Sequence, residues 1–274
     1  MISLLTVVLL GLTAYTFVGY PLVLLALGWL HRPAARTARG KAHAYAPSVA
    51  VFVMTYNEER SIAQKIENTL AQDYPRMRVY VVDSASVDST AAIAGRHPVT
   101  VLEQPRREGK AAAVNFALER SDEEVVIVTD ANALFSSGAV TRLIGALADT
   151  DVAAATGRFY SHSDHASASA QGEGLFWRLE DFMRRRESRL DSVIGVSGEI
   201  TAFKRSALAG GLDASNLTED FEMSVRLRRK ARVVYVPEAV ATEPPALTVA
   251  DQITQKKRRV IGTLMTLYKH KDML

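Results

Sequence analysis

The chain of 274 residues contains no cysteine, which excludes disulfide bonds and thiolate metal sites. A strong excess of one charge is also absent, since 33 basic and 30 acidic residues leave a formal net charge of +3. Without a broad excess of positive charge, binding to nucleic acid is not favoured. Hydrophobic residues make up 48% of the chain, and its length suits one large α/β domain with an appendage.

Charged side chains are absent from residue 2 to residue 30. Since about 20 helical residues span the hydrocarbon core of a bilayer, this stretch predicts a transmembrane anchor over residues 1–31. A cleaved signal peptide is the alternative, but the run is too long and no basic residue precedes it. A basic cluster follows directly, comprising His31, Arg32, Arg36, Arg39 and Lys41. By the positive-inside rule, we expect a single span in the cell membrane, with the linker (32–46) and the remaining chain in the cytoplasm.

A Gly-x-Gly-x-x-Gly motif is missing from the two turns where a dinucleotide site would carry it. Buried strands are predicted over Val49–Met54 and Val79–Val82, each followed by a polar turn and a helix. Ligands bind at the carboxyl ends of parallel strands. The first turn therefore predicts a ligand crevice lined by Thr55, Tyr56, Asn57 and Glu58. Asn57 and Glu58 can instead cap the helix, whereas Asp83 can accept a hydrogen bond from an imide N–H such as that of uracil.

Another buried strand, Val125–Val128, runs into a polar turn that contains Asp130 and Asn132. A carboxylate and an amide oxygen one residue apart can share one hard divalent cation, which in turn holds a diphosphate. The alternative is an aspartate that merely starts a turn. Before this strand, a helix is preceded by Arg106, Arg107, Gly109 and Lys110. Cations beside a glycine at a helix start favour a diphosphate cradle, with a solvated basic loop as the alternative.

The second half of the chain predicts a long helix over 174–189, with a solvated end from Arg184 to Glu187. His162, Asp164 and His165 lie close together in the preceding segment, but their spacing is not diagnostic of a metal site. Glu219 and Asp220 begin a further helix, where capping by Thr218 and the helix dipole suffice to explain the acids.

The end of the chain predicts a strand over Val233–Pro237, a rigid connector at Glu243-Pro244-Pro245, and a basic amphipathic helix over 251–270. Such a helix suits the headgroup plane of a membrane.

The strand-tip motifs occur in an order that resembles family 2 glycosyltransferases of the GT-A fold: Tyr56-Asn57-Glu58, Val82-Asp83, Gly109-Lys110-Ala111 and Asp130-Ala131-Asn132. The resemblance is to membrane-bound processive synthases of cellulose, hyaluronan and poly-N-acetylglucosamine. It implies an α/β fold with a mixed, mostly parallel sheet flanked by helices. The GT-A catalytic domain would occupy residues 47–248, and the interfacial helix residues 249–274.

The resemblance also implies roles on the donor side of the site. Asp83 would contact the base, Lys110 would lie near the nucleotide, and Asp130 with Ala131 would contact the nucleotide-sugar. Asp130 and Asn132 would hold Mg²⁺ or Mn²⁺. Asn132 departs from the second aspartate of the commonest family motif, and because a neutral amide is a weaker ligand, we expect lower metal affinity.

On the acceptor side, Gly198 lies in a segment that resembles the family's glycine-containing acceptor segment, where glycine lets a sugar approach the backbone. The sequence Thr218-Glu219-Asp220 matches the family's base motif, which implies that Asp220 is the catalytic base with Glu219 beside it.

The last helix carries Gln255-Lys256-Lys257-Arg258-Arg259, which resembles the family motif Gln-x-x-Arg-Trp. The match implies that Gln255 faces the acceptor and that Arg258 neutralises the departing diphosphate. Arg259 stands where the family has tryptophan, which puts aromatic stacking on the acceptor sugar at this position in doubt.

Together, these features predict a membrane-anchored inverting glycosyltransferase that moves a sugar from a UDP-sugar to a hydroxyl of a polysaccharide or glycolipid. Its expected partners are the donor, the acceptor and the lipid bilayer. Family synthases usually continue into further membrane helices that form an export channel, and three options stay open here: a truncated sequence, a membrane subunit that supplies the channel, or a short product. Two alternatives remain: a catalytically silent nucleotide-binding membrane scaffold, and a sugar nucleotidyltransferase.

Overall fold

The structure is a computed structural model that describes residues 3–30, 45–161, 168–216, 218–243 and 249–273. Within these residues its centre is an eight-stranded sheet. The strands are β1 (Val49–Thr55), β2 (Met77–Asp83), β3 (Thr100–Glu103), β4 (Val125–Asp130), β5 (Leu134–Phe135), β6 (Val152–Ser161), β7 (Thr201–Lys204) and β8 (Arg232–Glu243). They lie in the order β3-β2-β1-β4-β7-β6-β8-β5. The first four pair in parallel, and β7 is antiparallel to both neighbours. The predicted mixed α/β sheet is confirmed.

Helices cover both faces of this sheet. The described α-helices are α1 (Leu4–Ala14), α2 (Tyr20–Leu30), α3 (Ile62–Leu70), α4 (Thr90–Ala94), α5 (Lys110–Leu118), α6 (Ala139–Leu147), α7 (Ala168–Leu190), α8 (Glu219–Arg228) and α9 (Val249–Lys269). Of these, α2 packs on α7 and α9 packs on α8. Side chains of β1 alternate between two cores: Val51 packs with Ile62 and Leu143, whereas Phe52 packs with Met223. Because both faces are covered, the strand is apolar without interruption.

The sheet order brings three strand tips together. Thr55 of β1 is in register with Asp83 of β2, and Met54 is in register with Asp130 of β4. Beyond β4 the next strand is antiparallel, so the parallel series stops at this point. A crevice outside the carboxyl ends of such strands is where open α/β sheets bind ligands.

Strand β8 differs from the strand predicted over Val233–Pro237, since it continues to Glu243. Pro237 cannot donate to the ladder, and the pairing with β6 shifts register after Val236, which accommodates the proline. The interpretation of Glu243 as part of a connector is therefore wrong, because this residue ends the strand. Residues 244–248 lie outside the described part of the chain.

The end of α7 also differs from the prediction of a solvated terminus. Glu187 is buried and accepts hydrogen bonds from the Tyr20 hydroxyl at 2.7 Å and from the Ile194 amide at 3.2 Å. Arg184 donates to the Gly195 carbonyl at 2.7 Å. The helix end thus joins α2 to the segment that leads to Gly198.

The N-terminal helix is continuous, because a π-helical turn over Tyr15–Gly19 joins α1 to α2. From Thr6 to Leu30 it is long and apolar enough to cross a membrane, with a mean hydropathy of 1.9. Most of its large apolar side chains are exposed, and α2 packs on α7.

Helix α9 docks on the domain through its C-terminal half. The buried Thr266 hydroxyl lies 2.6 Å from the Asn216 amide nitrogen, and His270 Nε2 lies 3.0 Å from Glu222 Oε2. The other side of this half exposes apolar residues, namely Val260, Ile261, Leu264, Met265 and Tyr268. The helix predicted over 251–270 is present, and its location at a membrane stays a prediction.

Candidate active site

Asp83 and Asn57 form the first part of the crevice. The buried Asp83 carboxylate accepts hydrogen bonds from the Ser86 amide at 2.9 Å and the Ser86 hydroxyl at 2.5 Å. The Ser86 hydroxyl in turn accepts from the Asn57 amide at 2.8 Å. Asn57 has a φ of 55°, a left-handed conformation that asparagine tolerates better than most residues. Both predicted turns are therefore held together at the strand tips.

The residues of the first turn differ in what they contact. Glu58 Oε2 accepts a hydrogen bond from the Ser61 hydroxyl at 2.5 Å, and Asn57 Oδ1 accepts from the Val87 amide at 2.9 Å. Ser61 is at the N-cap position of α3 and no side chain of the described residues caps this helix, so the capping alternative for Asn57 and Glu58 is wrong. By contrast, the Thr55 hydroxyl is buried and has no hydrogen-bond partner within the described residues. Because buried polar groups are usually paired, an orphan hydroxyl at this strand tip indicates a ligand contact.

The residues of the basic loop before α5 make different contacts. Arg106 pairs with Glu108 at 2.8 Å, as the solvated-loop alternative predicts. The Arg107 guanidinium lies 3.7 Å from the centre of the Tyr56 ring, a cation–π contact at the crevice. Gly109 has a φ of 89°, which favours glycine, and it leads directly into Lys110.

Lys110 is the centre of the site. Its ammonium lies 2.6 Å from Asp130 Oδ1, 3.1 Å from Glu219 Oε1 and 3.2 Å from the Gly198 carbonyl. Burial acts to lower the pKa of Lys110, but Asp130 and Glu219 outweigh it, so the pKa lies above its usual range. Lys110 therefore stays protonated and joins Asp130 at the tip of β4 to Glu219 at the start of α8.

Gly198 lies where the start of α5 approaches the start of α8. A Cβ atom at this position would lie 3.1 Å from Lys110 Nζ, 3.3 Å from Glu219 Oε1 and 3.6 Å from the Asp220 Cβ. Any side chain here would crowd the ion pairs. Because Gly198 has no side chain, the segment that leads into β7 can lie close to Glu219 and Asp220.

Asp220 lies in the first turn of α8, with its Oδ1 accepting from the Phe221 amide at 2.7 Å. The helix dipole favours an ionised carboxylate at this end. Thr218 occupies the N-cap position, but its side chain makes no capping hydrogen bond, so the predicted cap is wrong. With Glu199, Asp220 lines a cavity of about 250 Å³.

Asn132 has a hydrogen-bond partner that the sequence did not predict: its amide nitrogen donates to Glu243 Oε1 at 2.5 Å. Within the described ranges, no group of three histidine, cysteine or acidic residues is placed to hold a metal. The oxygens of Asp130, Asn132 and Glu243 are nevertheless hard donors of the kind that Mg²⁺ and Mn²⁺ prefer. A cation bound through one or two carboxylates, with substrate phosphates and water completing its shell, fits this set.

Lys65 supports the turn after Asp130 from inside the core, and sequence reasoning missed it. The fully buried ammonium donates to Thr129 Oγ1 at 2.8 Å and to the Ala133 carbonyl, and it lies 3.7 Å from the Phe135 ring centre. Burial lowers its pKa to about 7, with Asp130 acting in the opposite direction. Its place on the apolar face of α3, beside Ile62 and Ile66, was an available signal.

Several predicted residues cannot be compared with the structure. The backbone of Gln255, Arg258 and Arg259 belongs to α9, but their side chains lie outside the described part. His162, Asp164 and His165 and most of the basic linker are likewise outside the described residues. Ala131 is described, and its amide donates to the Met54 carbonyl at 3.1 Å, which ties the turn to β1.

Comparison with known families and proteins gives a consistent answer. Residues 50–211 match the family model described as Glycosyl transferase family 2. The chain is 28% identical over 239 residues to an N-acetylglucosaminyltransferase of Mesorhizobium japonicum, which covers 77% of this chain and 55% of that protein. It is 26% identical over 222 residues to the hyaluronan synthase of Streptococcus pyogenes, covering 74% and 50% respectively. The chain thus spans about half the length of these curated relatives.

Solved structures share the fold. The mannosyltransferase from Pyrobaculum calidifontis, in complex with GDP-Man and Mn²⁺, superimposes with a TM-score of 0.75 at 29% identity, covering 96% of this chain and 74% of that one. The glucosyl-3-phosphoglycerate synthase from Mycobacterium tuberculosis, with Mn²⁺, UDP and phosphoglyceric acid, gives a TM-score of 0.58 at 18% identity. The coverage is 86% of this chain and 84% of that one, and at this identity the likeness concerns the fold alone.

Proposed function

The chain belongs to glycosyl transferase family 2 and has the GT-A fold, and from this premise we propose that it transfers a sugar from a nucleotide-sugar to an acceptor hydroxyl, with inversion. One observation carries the proposal. Lys110 contacts both Asp130, at the strand tip, and Glu219, which adjoins Asp220. A donor held at the strand tips would therefore lie within reach of the acids that begin α8.

On the donor side, Asp83 accepts hydrogen bonds from the base, and the Thr55 hydroxyl and Tyr56 complete that contact. Lys110 lies against the phosphates, with Glu219 positioning its ammonium. Asp130 and Asn132 would hold Mg²⁺ or Mn²⁺, and the mannosyltransferase solved with Mn²⁺ at 29% identity supports this assignment. When bound, the cation offsets the negative charge that develops on the departing diphosphate.

On the acceptor side, Asp220 takes the proton from the acceptor hydroxyl as general base. The oxygen attacks the anomeric carbon while the bond to the diphosphate breaks, so a single displacement inverts the anomeric centre. From the motif match alone, we propose acceptor contacts for Gln255 and Arg259, and we assign to Arg258 the task of offsetting charge on the diphosphate.

The proposed donor is a UDP-sugar, and N-acetylglucosamine is the favoured sugar because a relative is named for its transfer. A GDP-linked mannose is the second candidate, because the mannosyltransferase complexed with GDP-Man covers 96% of this chain. A carboxylate such as Asp83 can accept an N–H from uracil or from guanine, so the base contact alone does not choose.

We also propose that the N-terminal helix anchors the protein in the cell membrane, with the catalytic domain on the cytoplasmic side. The apolar run from Thr6 to Leu30 and the basic cluster after it support this arrangement. The proposed acceptor is a hydroxyl of a polysaccharide or glycolipid.

Release of nucleoside diphosphate from a panel of UDP- and GDP-sugars, with Mn²⁺ and a saccharide acceptor, tests the proposal. We expect Asp220→Asn to lower turnover at least about a hundredfold, since general bases contribute roughly 10²–10⁴-fold. The exposed Glu119→Gln is the matched control and should retain full activity.

Each alternative gives a different result in the same experiment. A silent scaffold releases no nucleoside diphosphate from any donor. A nucleotidyltransferase releases pyrophosphate and does not depend on Asp220. Full turnover in Asp220→Asn contradicts the assignment of the base.

A further inference from the structure

The cavity of about 250 Å³ beside Asp220 has an aromatic wall that the proposed chemistry does not use. Rings from three elements line it, namely Phe159, Tyr160, Phe176, Trp177 and Tyr235. The volume lies below the roughly 300–1,000 Å³ typical of sites for drug-sized ligands, so it suits one sugar ring better than a longer chain. Asp220 lines the same cavity.

Trp177 is the centre of the aromatic wall. Its ring centre lies 6.2 Å from that of Phe159 and 5.8 Å from that of Phe176, and both pairs meet edge to face at 74°. These contacts fix the orientation of the indole. An oriented indole presents a flat apolar surface against which the C–H face of a pyranose can pack.

The charges of the cavity select against anions. Four carboxylates line it, Glu180, Asp181, Glu199 and Asp220, against two guanidiniums, Arg158 and Arg184. Both guanidiniums are engaged: Arg158 pairs with Asp181, and Arg184 donates to the Gly195 carbonyl. Arg184 also pairs with Glu180 at 3.7 Å, and Arg185 pairs with Asp181. Lys110, which does not line the cavity, interacts electrostatically with Glu199. Among the residues that line the cavity itself, carboxylates outnumber guanidiniums by four to two. A phosphate or uronate would meet a negative field, whereas neutral hydroxyls can donate to the carboxylates.

We propose that this cavity binds the terminal ring of an uncharged saccharide acceptor, with Trp177 as the stacking surface and the reacting hydroxyl at Asp220. The assignment rests on the proposed function. It also supplies, from α7, the aromatic surface that Arg259 does not provide in the Gln-x-x-Arg-Trp-like motif.

Fluorescence tests the binding directly, because the chain has only two tryptophans, Trp29 and Trp177. In the full chain in detergent, Trp29→Phe leaves Trp177 as the only reporter. We expect a saturable change in its emission with chitopentaose or cellopentaose, and at least about tenfold weaker binding of a hyaluronan hexasaccharide or undecaprenyl phosphate. Equal or tighter binding of either anionic probe, or no response to both neutral ones, overturns the proposal.

Kinetics test the role of the indole separately. We expect Trp177→Ala to raise KM for the neutral acceptor about tenfold, equal to about 1.4 kcal/mol of binding, with the donor KM unchanged and partial recovery in Trp177→Phe. The exposed Leu175→Ala on the same helix is the control. If the wild type releases nucleoside diphosphate but the acceptor KM of Trp177→Ala equals that of the wild type, the proposed saccharide site is contradicted while the proposed function stands. If wild type releases none, the proposed function fails, while the fluorescence titration still decides what the cavity binds.

Discussion

At the scale of single residues, Asn132 and Glu243 form the most specific arrangement at the predicted metal site. The amide nitrogen of Asn132 donates to the Glu243 carboxylate at 2.5 Å, which turns the amide oxygen the other way. A ligand whose orientation is held by a neighbouring group binds a cation more tightly than a freely rotating one. We therefore propose that Glu243 orients Asn132 for metal binding and compensates in part for the missing second aspartate.

This arrangement predicts the effect of Glu243→Gln on metal affinity. Loss of the charge beside Asn132 should weaken Mn²⁺ binding by about 10–100-fold, the usual effect of changing an outer-shell partner of a metal ligand. Titration of free Mn²⁺ by electron paramagnetic resonance measures the affinity without a turnover assay. Glu119→Gln serves as the control, and an unchanged Mn²⁺ affinity in Glu243→Gln would exclude this role.

Lys65 makes a prediction about stability and pH. Its folded pKa of about 7 lies below the usual 10.5, so the unfolded chain binds more protons between these values. Burial of the charged ammonium costs stability at pH 7 and below, and the cost fades as pH rises toward 10.5. The free energy of unfolding should therefore rise with pH, with a slope of at most about 1.4 kcal/mol per pH unit from this group.

Unfolding in detergent from pH 7 to pH 10 measures that slope. Lys65→Met removes the titrating group, so its slope should be smaller than that of the wild type. Only the slopes are compared, because the variant also loses the bonds to Thr129 and Ala133. Parallel curves for the two proteins would contradict the prediction.

At the scale of elements, α7 connects the N-terminal helix with the acceptor side of the site. Glu187 accepts from Tyr20 of α2 and from the Ile194 amide, and Arg184 holds the Gly195 carbonyl. Three residues later, Gly198 contacts Lys110 through its carbonyl. Helix α7 therefore links the position of the N-terminal helix to the backbone around Gly198.

These contacts predict that substitution of Glu187 lowers the free energy of unfolding more than substitution of Tyr20. Glu187→Ala leaves two donors without their acceptor and should lower the free energy of unfolding by about 1–3 kcal/mol, with a loss of turnover. Tyr20→Phe removes one neutral partner, keeps the Ile194 bond, and should cost only about 0.5–1.5 kcal/mol. Chemical unfolding in detergent measures both, and equal effects of the two changes would contradict a role for Glu187 in holding Ile194.

At the scale of the whole molecule, most of the large exposed apolar side chains among the described residues lie on the N-terminal helix and on α9. The run from Thr6 to Leu30 exposes most of its large side chains, and α9 exposes Leu264 and Tyr268 while its opposite side docks through Thr266. An amphipathic helix with such a face lies in the headgroup region of a bilayer. We therefore expect the domain to rest on the membrane through α9.

The absence of cysteine makes this expectation directly testable. A polarity-sensitive dye on Leu264→Cys in nanodiscs should emit at shorter wavelength and be quenched by nitroxide lipids. The same dye on Glu119→Cys, an exposed position on the domain, should report water. Identical emission at both positions would show that α9 does not contact the bilayer.

The sequence by itself determined the local features of this protein. Short apolar runs rich in β-branched residues and bounded by polar turns favour strands covered on both faces, and Asp83 and Asp130 follow such runs directly. The position of these two carboxylates at strand tips was therefore predictable from the chain alone. Only the tertiary structure decided the contacts across the sheet. Glu243 is 111 residues from Asn132 and reaches it because β8 pairs with β5. Lys65, Glu187 and Trp177 likewise acquire their partners from packing, because burial and long-range pairing depend on strand order, which no local pattern encodes.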